Sequence, residues 1–434
     1  MSSALDQQSV DRFSREAKEP EWLSSMRREA LAQHEQLPWP TSSDDIWRRT
    51  DAALLNPRNG FAPAETNGML KRLPLSDEQA ATLIQPMGGE TVLVHADGEW
   101  ISRDAPAGVT LTELSHLQGA QAERVRQALA AEGLTPEERK FTTLNTAFHR
   151  QGLILDIADG FQGDAPIRLV RLASARPNTA VFPLTVIRVD KGARVTLIQE
   201  DVGLAVGDAG AQVITGRIEL VVEPEASVQY CRVQRWQPQA REFLLQRATL
   251  QAGAKLTMTN INFGAAVSKT HVIAKLQGAG AESRVFGFVF GHHQQHVDFH
   301  SLQDHLAPHT MSDLSYKAAL KDDSRMIYTG LIRIAKAAKQ TDAYQSNHNL
   351  LLSRTAKAET IPMLEILADD VRCKHGATVG PVDEEQLFYL MARAIPRELA
   401  ERLLVMGFVE PIIGEVPFEP LQQRLRQELV ESLV

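Results

Sequence analysis

A mainly β chain, with a solenoid core between helical ends, is the fold class the sequence predicts, and three observations carry the prediction. From about residue 166 to 380, short runs of strand formers follow one another, with turns between them and little helical periodicity. Inside that stretch a unit recurs, a small-residue turn followed by alternating residues. It reads Lys191-Gly-Ala-Arg-Val-Thr-Leu, Glu225-Ala-Ser-Val-Gln-Tyr, Ala252-Gly-Ala-Lys-Leu-Thr-Met and Gly280-Ala-Glu-Ser-Arg-Val-Phe. Its alanines, Ala193, Ala226, Ala254 and Ala281, lie 33, 28 and 27 residues apart. Periods of roughly 20 to 50 residues mark stacked architectures. Because the units are strands, and no single coil can bury its own apolar face, a β-helix is the expected form. Outside the stretch, the chain turns helical at both ends. The expected division is an N-terminal helical and mixed region over 1–165, a β-helix core over 166–380 and a C-terminal helical region over 381–434. Two weaker echoes of the repeat fall at Asp323-Ser-Arg-Met-Ile-Tyr and Ala358-Glu-Thr-Ile-Pro-Met. A β-sandwich is the competing fold, since short strands with regular turns suit it too.

Each element follows from a local pattern. Trp22, Leu23, Met26 and Ala30 form one stripe of an N-terminal helix. Leu37-Pro-Trp-Pro forces an extended segment, and Asp44 to Thr50 starts a short helix. Trp22, Trp39 and Trp47 are expected as packing anchors. Thr91-Val-Leu-Val-His, Asp97-Gly98 and Glu99-Trp-Ile read as a hairpin with an Asp-Gly turn. Gln121 to Ala131 reads as a helix, Thr135-Pro136-Glu137 opens another, and Leu153 to Ile157 is a strand. Near the far end, Pro362-Met-Leu-Glu-Ile-Leu is a strand, Asp369-Asp370 a turn, and Gly376 and Gly380 are expected at positive φ. Asp383 reads as an N-cap with Gln386 three residues on, and Leu387, Leu390 and Met391 follow at helical spacing. Pro396 then opens a helix whose Leu399, Leu403 and Met406 share a face, with Gly407 as its stop and Pro411, Pro417 and Pro420 as breaks. Leu421, Leu425, Leu429 and Leu433 repeat at i, i+4. The region after 381 holds ten acidic and five basic residues, so it is either a solvated acidic face or a docking surface for another subunit.

Composition narrows the function. Of 434 residues 43% are hydrophobic and 23% charged, ordinary for a chain that buries a real core. A net charge of −8 argues against an extended nucleic-acid surface. Two cysteines without a CxxC point to a reducing compartment. Met1 to Glu21 lacks the apolar core of a signal peptide, and no run of apolar residues is long enough for a membrane span, so a cytoplasmic location is expected. There is no P-loop, no GxSxG and no dinucleotide fingerprint, and no enzymatic activity is expected.

Two clusters could carry chemistry. Six of the 13 histidines fall between His292 and His309. His292, His293 and His296 resemble a metal tract, and His296, Asp298 and His300 would share one face of a strand, but no HExxH is present. A surface or hydrogen-bonded role is the alternative. Cys373 and His375 are the better pair, because residues i and i+2 of a strand point the same way. Thiolate and imidazole both ligate iron–sulfur clusters, whereas the plain alternative is a packed cysteine beside a structural histidine. Cys231, in an alternating run, is expected in the core.

The end of the chain carries a resemblance. Pro362-x-Leu364-Glu365-Ile366, Ala368-Asp-Asp-Val371, Cys373-x-His375-Gly-Ala-Thr378-x-Gly380 and Gln386-Leu-Phe-Tyr-Leu390 closely resemble the signature of the SufB/SufD family, scaffold subunits of the SUF iron–sulfur cluster assembly machinery. Leu144-Asn-Thr-Ala-Phe148, Gly330-Leu-Ile-Arg-Ile and Thr341-Asp-Ala-Tyr-Gln345 add to it. The resemblance implies a right-handed parallel β-helix, a partnership with SufB, and docking of the ATPase SufC on the C-terminal helices, for which Leu399, Leu403, Met406 and Phe408 are the candidates. It implies a transient iron–sulfur cluster shared with SufB at the subunit interface and none held tightly by the isolated chain. His375 matches the family's interface histidine and Cys373 its neighbour. Three features favour the SufD branch: no cysteine-rich N-terminal segment, Gln345-Ser-Asn-His348 without a cysteine, and Gly376 where SufB carries glutamate. A SufB-like scaffold, a β-helix carbohydrate enzyme using Asp298, Asp304 and Asp313, and a metalloenzyme built on His292 to His309 are the alternatives. Homodimerisation of the isolated chain stays open.

Overall fold

The computed structural model describes residues 5–64, 83–150, 152–205 and 210–433. From Leu184 onward the chain alternates between two sheets, one strand to each per coil. The first sheet stacks Leu184–Val189, Gln212–Val222, Ala240–Leu250, Val267–Leu276, His296–His305, Arg325–Ile334 and Lys357–Ile366 in chain order. The second stacks Ile167–Ala175, Arg194–Ala205, Ser227–Arg235, Lys255–Asn262, Glu282–Gly291, Met311–Leu320, Thr341–Leu351 and Val371–Pro381. Every one of these pairings is parallel, which a Greek-key sandwich does not allow. The sheets begin within the mixed N-terminal region, where Thr91–Ala96 pairs parallel with Ile167–Ala175 and Leu153–Ile157 with Leu184–Val189. The Asp97-Gly98 hairpin forms as expected, with both turn residues at positive φ.

The alanine repeat has a physical cause. Ser227 is in register with both Arg194 and Lys255, and Lys255 with Glu282, so the residues just before them, Ala193, Ala226, Ala254 and Ala281, stack in one column. All four are buried. Each follows a residue in the left-handed region: Gly192, Glu225, Gly253 and Gly280. The turn needs that conformation to reverse tightly, and glycine supplies it without strain at three of the four positions. A Cβ on Gly253 would lie 2.2 Å from the Glu225 carboxylate. The column continues through Thr310 and Thr341, whose hydroxyls meet at 3.1 Å, after left-handed His309 and Gln340. The two expected echoes are therefore a different feature. Asp323 to Tyr328 and Ala358 to Met363 enter the first sheet, not the second.

Both outer flanks are covered. The N-terminal helices α1 (Gln7–Glu16), α2 (Glu21–Gln36), α3 (Gly119–Ala128) and α4 (Pro136–Phe148) lie on the first-sheet side. Thr135 and Glu138 close a capping box on α4. Phe141 of that helix stacks on Phe243 with ring centroids 4.0 Å apart, and both rings stack on Trp47, at 5.1 and 6.0 Å. Trp47 is buried, while Trp22 and Trp39 pack partly buried against their clusters. The C-terminal helices α5 (Glu384–Met391), α6 (Arg397–Ile413) and α7 (Glu419–Ser432) follow the last strand. Asp383 caps α5, accepting from the Glu385 amide at 2.8 Å.

Two expectations about this tail need correction. Gly407 does not stop α6, and Pro411 does not break it; the helix runs to Ile413. The carbonyl that a proline ring crowds is that of residue i−4, here Gly407, where the chain is least hindered. The tail also folds back along the solenoid, so its buried stripe faces the flank of the second sheet. Val405, Val409, Ile412, Leu421, Leu425 and Leu429 pack against Val233, Phe286, Phe288 and Phe290. Cys231 lies in this same layer, fully buried, and burial pushes its thiol far up.

Candidate functional site

The solenoid ends on two edge strands, Lys357–Ile366 and Val371–Pro381, each paired on one side only. Cys373 and His375 lie on the second of them. Strand alternation and register show what they do there. His375 ends the column Leu197, Tyr230, Met258, Val285, Leu314, Gln345, whose first five members belong to the core between the sheets. Cys373 ends the neighbouring column Val195, Val228, Leu256, Ser283, Ser312, Ala343. Both residues thus belong to columns that are interior further back, at the rung where no further coil roofs them. That is why His375 is exposed and Cys373 only half-buried, against Ala343, Ile332 and Ile334.

The columns change character as they reach this end. Gln345 is buried; its Nε2 donates to the Gly330 carbonyl at 3.1 Å, and its Oε1 has no protein partner. Burial, and then the charge of Asp342, raise the Cys373 thiol above its ordinary range. The thiol is therefore a protonated, packed group at neutral pH, and needs a cation or metal at its sulfur to become a ligand. Gly376 and Gly380 lie inside the strand and neither has positive φ, because the chain runs straight through them. A Cβ at Gly376 would come 3.3 Å from the Tyr344 hydroxyl, a contact that a small shift of this exposed ring would relieve.

Around the pair, apolar side chains face solvent. Tyr344, Leu364, Ile366 and Val379 are each about two-fifths exposed and Leu367 is 60% exposed. A patch of this kind, on two open strand edges, is what a subunit contact requires. Sequence reasoning did not reach these residues, since an apolar residue in a strand ordinarily signals core.

The other candidates separate. On α6, Leu399 and Leu403 are both 47% exposed, whereas Met406 and Phe408 turn toward the second sheet. The Phe408 carbonyl accepts from Lys317 Nζ at 2.8 Å. Phe388, Tyr389 and Met391 of α5 are exposed as well, and α5 and α6 pack together. The histidine tract disperses. His292 and His293 sit in a turn, and His305 is buried between Thr310 and Ser312 hydroxyls at 2.8 and 2.9 Å. His296 and Asp298 both meet Thr50 Oγ1, at 2.8 and 2.5 Å. Asp298 is paired with Lys269 at 2.6 Å and Asp304 with Arg333 at 2.8 Å, while Asp313 stands on the other sheet. No carboxylate pair of glycosidase type forms from these three. Among the described residues, no helix is long and apolar enough to cross a membrane.

Comparison with known proteins places the chain in a family. The family described as "SUF system FeS cluster assembly, SufBD core domain" matches residues 171–408. The iron–sulfur cluster assembly protein SufD of Bacillus subtilis is 27% identical over 432 residues, covering 97% of this chain and 96% of that protein. SufB of the same organism is 24% identical over 432 residues, covering 96% and 90%. A SufBD family protein of Staphylococcus epidermidis is 24% identical over 426 residues, with the same coverage of 96% and 90%. With the family match spanning more than half its length, from the second-sheet strand at Arg171 to α6, the chain belongs to the SufBD family of iron–sulfur cluster assembly proteins.

Proposed function

We propose that this chain is a non-catalytic scaffold subunit of the SufD kind, which joins a SufB subunit through the open end of its solenoid. The observation that carries the reading is the meeting of two unpaired strand edges, exposed apolar side chains and the Cys373–His375 pair at one place. The nascent cluster is cargo, assembled between the subunits, and His375 offers an accessible imidazole to it. Cys373 is the lesser contributor because its thiol is half-buried and held protonated. The SufB and SufD relatives are nearly equally similar, so the choice of branch rests on residues: Gly376, and the absence of cysteine from Gln345 to His348.

The test is co-expression with SufB and SufC subunits, followed by sizing and iron and sulfide analysis. His375→Ala is expected to leave the complex intact and to lower bound iron and sulfide by about tenfold, the scale on which metal sites respond even to loss of a supporting group. Cys373→Ser is expected to do less. Normal cluster loading with His375→Ala overturns the ligand role.

SufC docking fits the exposed side of α5 and α6. Leu399→Glu with Leu403→Glu is expected to weaken SufC binding by about tenfold or more, since truncating a central apolar contact costs about 1–2 kcal/mol. The thermal midpoint should move little, because about half of each side chain is already in solvent. Unchanged SufC affinity, measured by calorimetry, places the dock elsewhere.

A further inference from the structure

A second group of donor residues lies on the outer face of the first sheet, beneath α4. His271 and His300 are register partners on neighbouring strands of the first sheet, and their rings meet edge to face with centroids 4.9 Å apart. Glu138, at the third position of α4, reaches down to them. Its Oε1 accepts from His271 Nδ1 at 2.9 Å, and its Oε2 accepts from the Thr135 amide at 2.9 Å. One donor atom from each of the three residues can be chosen so that all lie within 4.8 Å of one another.

The hydrogen bonds fix the chemistry of His271. A carboxylate accepts, so Nδ1 of His271 is the donor in this contact, and Nε2 is the ring nitrogen left to meet a ligand. That Nε2 is buried and has no partner in the protein. Buried polar atoms left this way call for a reason. The neighbouring cation, Lys269, is paired with Asp298 at 2.6 Å. His300, only partly covered, gives a route in from solvent.

We propose that His271 and His300 bind one divalent transition-metal ion of the zinc and cobalt class, with Glu138 as the positioning carboxylate that sets the His271 tautomer. The pattern, a carboxylate behind a histidine whose far nitrogen is free, is how proteins orient imidazole ligands. Two imidazoles select borderline transition metals over magnesium or calcium. Water completes the coordination shell on the His300 side. The bound ion ties α4 to two solenoid strands, so it braces the N-terminal flank. This inference is independent of the scaffold reading, since it concerns other residues and does not require a partner subunit.

The experiment uses the full chain without a polyhistidine tag, stripped with chelator and titrated with Co²⁺ and then Zn²⁺. One equivalent of Co²⁺ is expected to give visible absorption bands that Zn²⁺ displaces, and to raise the thermal midpoint. His300→Gln, which keeps a hydrogen-bonding side chain at a partly exposed position, should abolish the bands. Glu138→Gln should weaken binding by about 10- to 100-fold, as loss of an outer-shell partner does. The paired change His292→Ala with His293→Ala, in the surface turn, should leave the bands unchanged. Absence of stoichiometric Co²⁺ binding to the unaltered chain, or bands that persist in His300→Gln and vanish in the turn variant, overturns the proposal.

Discussion

Glu200→Gln is expected to destabilise the protein by about 3–5 kcal/mol and to loosen its C-terminal helices first, because it breaks a buried ion network. Glu200 is almost fully buried and is shared by three arginines. Arg168 reaches its Oε1 at 3.0 Å, Arg235 reaches its Oε2 at 2.6 Å, and Arg424 of α7 closes on the same Oε2. Arg235 in turn pairs with Glu428 at 2.9 Å, and Arg168 with Glu90 at 3.2 Å. Three arginines and three glutamates therefore balance. The network joins the segment before the first hairpin, three solenoid strands and the last helix. Burial opposes the Glu200 charge, yet Arg235, Arg424 and Arg168 outweigh it, so its carboxyl is held below the ordinary range. The amide replacement keeps the shape but leaves a buried positive excess beneath α7. Denaturant unfolding would report the loss, and hydrogen exchange over 419–432 would locate it. A loss under about 1 kcal/mol, with protection of that helix unchanged, is incompatible with this account.

How much of this was readable beforehand depends on distance in the chain. The alanine turns were legible because one steric demand repeats at nearly constant spacing. The column was lost at Thr310 and Thr341, where threonine replaces alanine and a hydroxyl contact replaces methyl packing. The flank-wise docking of α6 and α7 left a trace that alternation alone does not capture. Val285, Phe286, Phe288, Val289 and Phe290 are buried on both faces of one strand, and such near-continuous apolar runs mark a sheet covered on both sides. Cys373 and His375 could be picked out by local pattern, but not their setting. Only the register reveals that they end columns whose earlier members are core, and that Gln345 lies directly behind His375. Glu200 with Arg424, and Glu138 with His271 and His300, come from separate elements, and no spacing rule connects them.

Lowering the pH from 7.5 to 5 is expected to cost several kcal/mol of stability, and histidines, not carboxylates, should cause it. His34, His149 and His305 are all buried. Burial, followed by the charge of Lys140, lowers His34 to about 4. Burial lowers His305 to about 4. Burial, followed by the charge of Arg27, takes His149 well below its usual value. In the unfolded chain each would titrate near about 6.5. The sign follows from that difference. Below 6.5 the unfolded state takes up protons that the folded state refuses, so stability falls as pH falls, until the folded values are reached. At pH 5 each group can cost up to about 2 kcal/mol, at about 1.36 kcal/mol per pKa unit. The Glu200 network acts in the same direction but later, since a depressed carboxylate keeps its contribution until pH falls through its lowered value. His305 bonds to Thr310 and Ser312, two coils from the strand that carries Cys373, so acid should loosen the open end of the solenoid together with the N-terminal flank. Thermal midpoints measured at pH 7.5, 6 and 5 should drop steadily, and His34→Gln combined with His305→Gln should flatten the slope between 6.5 and 5. A midpoint that stays level down to pH 5 in the unaltered chain would show that these rings take up protons without resistance, and the account of their burial would then be wrong.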